Sequence, residues 1–119
     1  MLTTSLRRNI LIRIALKDPY YAVIFTNTRT QWDNGYCAMA EAMEELAKAQ
    51  PGYLGFESAR ADIGISISYW ESLEDIARWK SHSEHVIAQQ YGIKDWYSWY
   101  KVRICLVERE YEFFKDVEK

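Results

Sequence analysis

Residues 20–29 form the sequence Tyr-Tyr-Ala-Val-Ile-Phe-Thr-Asn-Thr-Arg, in which β-branched and aromatic residues dominate. Large apolar side chains occupy both odd and even positions up to Phe25. Successive side chains of a strand point to opposite faces of its sheet, so this pattern predicts a central strand that is covered on both faces. We expect the rest of the fold to be built around it.

The segment that follows predicts an amphipathic helix. Asp33 is a suitable residue to cap its start, and Pro51-Gly52 ends the pattern. Its apolar positions recur at spacings of three and four, which places them on one face: Tyr36, Met39, Ala40, Met43, Leu46, Ala47 and Gln50. We expect the charged residues between them to face water: Glu41, Glu44, Glu45 and Lys48.

Residues 53–70 predict a β-hairpin. Residues 53–60 resume a strand pattern, Ala61-Asp62 supplies a turn, and isoleucines alternate with small residues from residue 63 onward. Ser72 and Asp75 resemble a capping box at the start of a second helix, which we expect Gly92 to end. The apolar stripe of this helix comprises Ile76, Trp79, Ser83, Val86, Ile87 and Gln90.

A last strand is predicted over residues 100–111, where Val102, Ile104 and Leu106 alternate with basic residues. The order strand, helix, strand, strand, helix, strand predicts an α+β protein with the ferredoxin-like βαββαβ arrangement, in which both helices cover one face of an antiparallel sheet. The other face would expose a larger apolar patch than monomers tolerate, so we expect a homodimer that pairs through it. The aromatic connector around Trp96 is expected near a pocket mouth or the partner.

The composition narrows the class of protein. The chain of 119 residues is 49% hydrophobic and 27% charged, which is typical of one soluble globular domain. We expect a basic N-terminal extension (residues 1–19), one domain (residues 20–114) and a C-terminal tail (residues 115–119). Aromatic residues make up 15% of the chain, more than a small core needs, and the surplus is available to line a cavity or an interface.

The charge pattern argues against nucleic acid and membranes as partners. A net charge of -2 is unfavourable for a general polyanion binder. No apolar run approaches the length of a transmembrane helix. The basic extension, which holds Arg7, Arg8 and Arg13, fits an ordered or frayed arm better than a targeting segment. Cys37 and Cys105 lie far apart and outside any metal-binding spacing, so we expect a cytoplasmic protein.

The sequence lacks the common catalytic motifs. Its glycines form neither a dinucleotide-binding nor a phosphate-binding loop, and no serine lies in a nucleophile elbow. His82 and His85 lie one helical turn apart, a spacing that suits a metal ion, but both fall away from the apolar stripe, so no metal site is expected. The acid pairs Glu44-Glu45 and Glu74-Asp75 belong to helix surfaces or caps.

Asn27 and Trp79 are stronger candidates for a functional site. Asn27 is an amide within an apolar strand, so it must find a hydrogen-bond partner in the backbone or in a ligand. Trp79 begins a flank of the second helix that continues through His82, Val86 and Gln89. This flank is either part of the core or one wall of a small-molecule pocket between helix and sheet.

A set of short segments spread along the chain forms a recognisable pattern. The segments are the first-strand sequence, Pro51-Gly52-Tyr53-Leu54-Gly55 with Glu57-Ser58, Ser68-Tyr69-Trp70-Glu71-Ser72, Trp79-Lys80 and Glu84-His85. Together they resemble the antibiotic biosynthesis monooxygenase superfamily over roughly residues 20–111. The resemblance implies a ferredoxin-like protomer, pairing of two sheets into a dimeric α/β barrel, and a ligand pocket between the helices and the sheet.

Superfamily members that oxidise phenolic or anthrone-like polyketides use neither metal nor flavin, because the ionised substrate itself passes an electron to dioxygen. The resemblance therefore implies a cofactor-independent monooxygenase for a small aromatic or polycyclic substrate. Asn27 would stabilise the substrate oxyanion, Trp79 would pack on its ring, and His85 or His82 would act as the base. The residues that line the pocket would be Phe25, His82, Val86 and Gln89.

Other superfamily members bind and degrade haem through an asparagine on the first strand, a tryptophan on the second helix and a histidine ten residues after that tryptophan. In this chain Asn27 and Trp79 match, but the ligand position holds Gln89, and an amide is a weak iron ligand. We therefore expect no cofactor, with haem binding or degradation as an alternative. A dimeric barrel that binds a small ligand without catalysis, such as a stress-related protein, is an alternative from a different class.

Overall fold

Four strands and two helices follow one another in the predicted order. The computed structural model describes residues 19–91 and 95–115. Its elements are β1 (Tyr20–Arg29), α1 (Tyr36–Lys48), β2 (Tyr53–Arg60), β3 (Gly64–Trp70), α2 (Leu73–Val86), a π-helical turn (Ile87–Tyr91) and β4 (Tyr97–Val107). The α+β class and the βαββαβ arrangement are confirmed. Most of the basic extension, the expected helix end at Gly92 and residues 116–119 of the tail lie outside the described residues.

The strands form one antiparallel sheet in the order β2-β3-β1-β4. β1 lies between β3 and β4, so its predicted central position is confirmed. Tyr21 pairs with Trp70, and Trp70 pairs with Tyr53 on β2. Residues that pair directly across antiparallel strands share a face of the sheet, so these three side chains lie side by side.

The core lies between this face and both helices. Trp70 is fully buried and packs with Ala47 of α1 and Ile76 of α2, and the half-buried residues around this cluster are Tyr21, Val23, Tyr53 and Trp79. The Trp70 indole donates a hydrogen bond to the Ser68 hydroxyl at 2.9 Å, which satisfies its polar atom within the core. Both helices therefore cover the same face, which we call the helix face.

The opposite face of the sheet carries the isoleucines of β3. The predicted alternation along this strand is confirmed. Trp70 and the serines lie on the helix face, whereas Ile65 lies on the other face and is 41% exposed. Tyr20 is nevertheless buried there, since its ring meets Tyr69 edge-on and its hydroxyl donates a hydrogen bond to Glu110. Pairing of two copies through this open face stays a prediction.

The two helices begin differently. The predicted cap of α2 is confirmed, since the Ser72 hydroxyl accepts a hydrogen bond from the backbone N–H of Asp75 at 3.1 Å. The predicted cap of α1 is wrong. Asn34 and Gly35 both adopt positive φ and turn the chain between Asp33 and the helix, so Gly35 occupies the capping position and no side chain caps it.

β4 begins and ends earlier than predicted. It runs over Tyr97–Val107 rather than residues 100–111, because Tyr97 already pairs with Arg29 and Val107 pairs with Tyr20, the first residue of β1. Beyond Val107 the neighbouring strand offers no further partner. The connector is held to the sheet by a hydrogen bond from the backbone N–H of Thr30 to the carbonyl of Trp96 at 3.0 Å.

None of the helices in the described ranges is long and apolar enough to cross a membrane.

Candidate functional site

Asn27 is buried at the far end of β1, with 1% of its surface exposed. It lies on the helix face, two residues beyond Phe25 and four beyond Val23, which packs against the core. Across the sheet it pairs with Gly64 on one side and Tyr100 on the other, and Gly64 pairs in turn with Arg60. One residue from each of the four strands therefore forms a row at this level.

The partner of Asn27 is Arg60. The guanidinium Nη2 of Arg60 donates a hydrogen bond to the Asn27 side-chain oxygen, reaching across β3 to do so. Gly64 makes this reach sterically feasible, because a Cβ atom at this position would overlap the guanidinium of Arg60. The sequence predicts that Asn27 bonds to backbone or ligand, and the structure shows a third solution, a charged side chain from another strand.

The side-chain NH2 group of Asn27 is available to bind a ligand. An arginine can only donate, so it fixes the side-chain oxygen of Asn27 towards Arg60 and the NH2 group away from it. Over residues 19–91 and 95–115, that NH2 group has no hydrogen-bond partner. A buried donor without a partner costs about 1–3 kcal/mol, so a ligand that accepts its hydrogen bond would be stabilised there.

Four aromatic rings lie next to this pair, and we call them the aromatic cluster: Phe25, Tyr36, Tyr97 and Tyr100. The Phe25 ring lies 5.3 Å from that of Tyr97 and 5.4 Å from that of Tyr100, measured between centroids. Tyr97 and Tyr100 are three residues apart on β4 but their rings contact each other at 5.8 Å. A bulge between these two residues, where β4 has one residue more than β1, brings both rings to the helix face.

Tyr97 is held as a neutral phenol. Burial raises the pKa of its hydroxyl well above the usual tyrosine value, and a hydrogen bond with Tyr36 acts in the same direction, whereas Arg29 and Arg60 oppose both. The Arg29 guanidinium lies over the ring of Tyr36, whose centroid is 5.6 Å from that of Tyr97. Tyr97 therefore stays protonated and paired with Tyr36.

Arg29 is fixed in position by the surrounding backbone. Its guanidinium lies 3.5 Å above the ring of Tyr36 and donates hydrogen bonds to the carbonyl oxygens of Trp96 at 2.9 Å and Trp32 at 3.0 Å. Trp96 is buried against Tyr36, and its indole donates to the carbonyl of Asn34 at 3.1 Å. The aromatic connector is thus the support of Arg29, a role the sequence did not indicate.

The residues predicted on α2 lie along one flank but differ in exposure. Trp79 is half-buried, stacks on Trp70 with centroids 6.0 Å apart, and meets the ring of His82 at 6.3 Å. His82 and His85 are exposed, and Val86 is half-buried. The structure thus brings Trp79 together with His82 and with the core. Phe25 instead contacts Tyr97 and Tyr100, and Asn27 binds Arg60. No ring contact or hydrogen bond joins these two groups within the described residues.

A weaker electrostatic link connects α2 to the aromatic cluster. Hydrogen bonding to Glu84 at 2.8 Å raises the pKa of Lys80, and Tyr100 raises it slightly further. Trp79, on the neighbouring flank of the same helix, packs against the core around Trp70.

Gln89 lies in the π-helical turn after α2, where it is exposed. The sequence predicts an α-helical stripe that continues through residues 87–90, and this part of the prediction is wrong because the backbone hydrogen bonds of a π-helix span five residues instead of four. π-helical turns within helices are frequent at functional sites. At the end of this one, the ring of Tyr91 contacts Trp96 at 6.5 Å.

A metal-binding cluster of three or more histidine, cysteine or acidic residues does not occur in the described parts of the chain. Both cysteines are free there, with Cys37 exposed and Cys105 half-buried.

Comparison with known proteins gives a consistent result. The family model for antibiotic biosynthesis monooxygenases matches residues 21–91. The chain is 47% identical over 96 residues to the uncharacterized protein YqjZ of Bacillus subtilis strain 168, a match that covers 79% of this chain and 84% of that protein.

Two solved structures share the fold at low sequence identity. SnoaB, a cofactor-independent oxygenase from Streptomyces nogalater, superposes with a TM-score of 0.53 at 9% identity, covering 87% of this chain and 100% of that one. An arginine-to-serine variant of MhuD, with two manganese protoporphyrin IX molecules bound per active site, superposes with a TM-score of 0.56 at 16% identity, covering 83% and 99%.

Proposed function

The chain belongs to the antibiotic biosynthesis monooxygenase family, and from this membership we propose that it is a cofactor-independent monooxygenase for a small aromatic or polycyclic substrate. The observation that carries the proposal is the pairing of buried Asn27 with Arg60 beside the aromatic cluster. Such a site offers hydrogen-bond donors for an oxygen anion and apolar surface for the ring that bears it. The fold relative SnoaB supports oxygen chemistry without a cofactor on this scaffold.

The proposed reaction begins with ionisation of a phenol or enol of the substrate. The Asn27 NH2 group and the Arg60 guanidinium stabilise the resulting oxyanion, and the rings of Phe25 and Trp79 hold the aromatic system. The anion transfers one electron to dioxygen, and the substrate radical combines with the superoxide that forms. Loss of water from this peroxide converts a CH2 group into a carbonyl, so one oxygen atom enters the product and the other leaves as water.

The base that accepts the substrate proton is proposed to lie on the exposed flank of α2. His82 and His85 are the candidates there, since imidazole is the side chain that most often serves as a general base. His82 contacts the ring of Trp79, whereas His85 lies nearly one turn further along the helix. Val86 and Gln89 continue the same flank and would border the far end of a bound substrate.

The test is oxygen consumption with a panel of anthrones and hydroquinones, measured against the heat-denatured protein. We expect Asn27→Ala and Trp79→Ala to lower turnover by about a hundredfold, the effect of losing one donor to a developing oxyanion or the surface that orients a ring. Thr26→Ala and Trp99→Phe are matched controls, because both side chains lie on the opposite face of the sheet from Asn27. Binding of these compounds without oxygen consumption would instead identify a non-catalytic binding protein.

Haem fits the described residues poorly. The position that would hold a histidine ligand is Gln89, which is exposed in the π-helical turn and whose amide binds iron weakly. Titration with haemin should therefore give no sharp Soret band of a histidine-ligated ferric haem, and Gln89→His should create one. A ligated spectrum of the unmodified protein that disappears in His85→Ala would identify His85 as the ligand and replace the present proposal by haem chemistry.

A second copy of the chain is the proposed partner. The open face of the sheet exposes Ile65, and exposed apolar surface on a strand favours association. We expect static light scattering at micromolar concentration to give the mass of a dimer, and a monomeric mass would contradict this part of the proposal.

A further inference from the structure

Two guanidinium groups of the candidate site have no carboxylate partner. The ion pairs of the described residues are Lys48–Glu45, Arg78–Asp75 and Lys80–Glu84, all within a helix or at its start. Arg29 and Arg60 are bound instead to neutral oxygens, of Trp96, Trp32 and Asn27.

Both positive charges act on the same place. Arg29 lies two residues beyond Asn27 on the helix face of β1, and Arg60 reaches Asn27 from β2 on that same face. Both guanidinium groups accordingly act to lower the pKa of Tyr97, although burial outweighs them. Like charges in one neighbourhood repel each other, and they are stabilised together by an anion placed between them. The buried NH2 group of Asn27, which lacks a partner in the described residues, adds a further donor to the same location.

We propose that Arg29, Arg60 and the Asn27 amide form an anion-recognition site that selects aromatic substrates bearing a carboxylate. This inference deepens the proposed function, since it names the substrate class of the same site. Guanidinium groups bind carboxylates through two parallel hydrogen bonds. The adjoining rings of Phe25 and Tyr100 supply the apolar surface that an aromatic ring requires, which favours an aromatic anion over a free inorganic one.

The rigidity of Arg29 supports this assignment. Two backbone carbonyls and the ring of Tyr36 hold its guanidinium, so little conformational entropy is lost when a ligand binds. Arg60 is likewise held by Asn27.

The experiment compares 2-naphthoate with its neutral isostere 2-naphthamide by isothermal titration calorimetry, under argon so that no oxygen chemistry occurs. We expect the carboxylate to bind at least about tenfold more tightly, and Arg60→Gln and Arg29→Gln each to weaken its binding about ten- to hundredfold while leaving the amide unaffected. Arg103→Gln is the matched control, since Arg103 is exposed on the opposite face of β4. Inorganic phosphate in a competing titration separates an aromatic-anion site from a site for any anion.

Asn27→Asp provides a second variant that keeps the shape of the site. Its carboxylate would pair with Arg60 and act as an internal anion, so 2-naphthoate should lose affinity about as strongly as with Arg60→Gln. Circular dichroism and urea denaturation verify that each variant is folded, and Arg29→Lys replaces Arg29→Gln if the latter is not. Equal affinities for the carboxylate and the amide, no binding of either up to millimolar concentration, or an equal loss in Arg103→Gln would overturn the inference.

This outcome is separable from that of the proposed function. Preferential binding of 2-naphthoate in a protein that consumes no oxygen with any compound would retain the anion site and refute the monooxygenase. Oxygen consumption with neutral hydroquinones, in a protein that binds 2-naphthoate no more tightly than 2-naphthamide, would retain the monooxygenase and refute the anion site.

Discussion

Substitution of Gly64 by alanine tests the geometry of the candidate site through stability alone. A Cβ atom added at this position would overlap the Arg60 guanidinium and would lie 2.8 Å from its Nη1 atom. Since Gly64 has no positive φ, its backbone accepts alanine without strain, and the flexible arginine is the group that must move. We therefore expect Arg60 to leave Asn27, whose buried side-chain oxygen then loses its partner.

The expected magnitude follows from two opposing contributions. A buried acceptor without a partner costs about 1–3 kcal/mol. Alanine in place of glycine reduces the entropy of the unfolded chain and stabilises by about 0.4–1 kcal/mol. In the wild-type background Gly64→Ala should therefore lower the free energy of unfolding by about 1–2 kcal/mol.

A double-mutant cycle isolates the contact. In an Arg60→Ala background the acceptor of Asn27 is already unpaired, so Gly64→Ala should be neutral or stabilising there. Urea denaturation of the four proteins, followed by circular dichroism, gives the coupling energy directly, which we expect to be about 1–3 kcal/mol. If Gly64→Ala has the same effect in both backgrounds, Arg60 does not cross Gly64 to reach Asn27 and the described site is wrong.

Three further predictions concern the surroundings of the site. Gly52→Ala should destabilise by about 1–3 kcal/mol more than Gly35→Ala in urea denaturation, because both glycines have φ of 83° but only the Cβ atom at residue 52 would overlap the Asp75 carboxylate. Trp79→Ala should lower the free energy of unfolding by about 3 kcal/mol through loss of the Trp70 stack, and a change below about 1 kcal/mol would show that Trp79 does not pack there. Because the pKa of Tyr97 is raised in the folded protein, the unfolded chain releases this phenolic proton at lower pH. The free energy of unfolding should therefore be unaffected by this group below about pH 10 and should fall as the pH rises further. Tyr97→Phe should flatten this decline, and a parallel decline in both proteins would contradict the assignment.

Local patterns were sufficient for most of the fold. The apolar positions of β1 and the three-and-four spacing of α1 depend only on neighbouring residues, and both elements formed where expected. Ser72 was recognisable as a cap for the same reason, since its partner Asp75 is three residues away. Asp33 failed as a cap because the positive φ of Asn34 depends on how the chain turns, which the type of the preceding residue does not determine.

The site was less accessible to sequence reasoning because its contacts join distant strands. The sequence singles out Asn27, since an amide in an apolar strand is conspicuous. Its partner Arg60 is 33 residues away, and the two meet only because the register of β2, β3 and β1 aligns them across Gly64. A glycine inside a strand was the available signal, because it often marks close approach of another group. The π-helical turn at Gln89 left no comparable signal in the sequence.

The extra residue in β4 changes how this chain should be aligned with its relatives. Ser98 is that residue, and its hydroxyl pairs with that of Thr28 at 2.6 Å, so the insertion is anchored to the neighbouring strand. A relative without it would place the residues equivalent to Tyr97 and Tyr100 two positions apart, and strict alternation would still direct both rings to the helix face. A one-residue gap at this point of an alignment therefore marks a regular strand with the same aromatic surface, whereas a gap elsewhere in β4 would turn every residue beyond it to the wrong face.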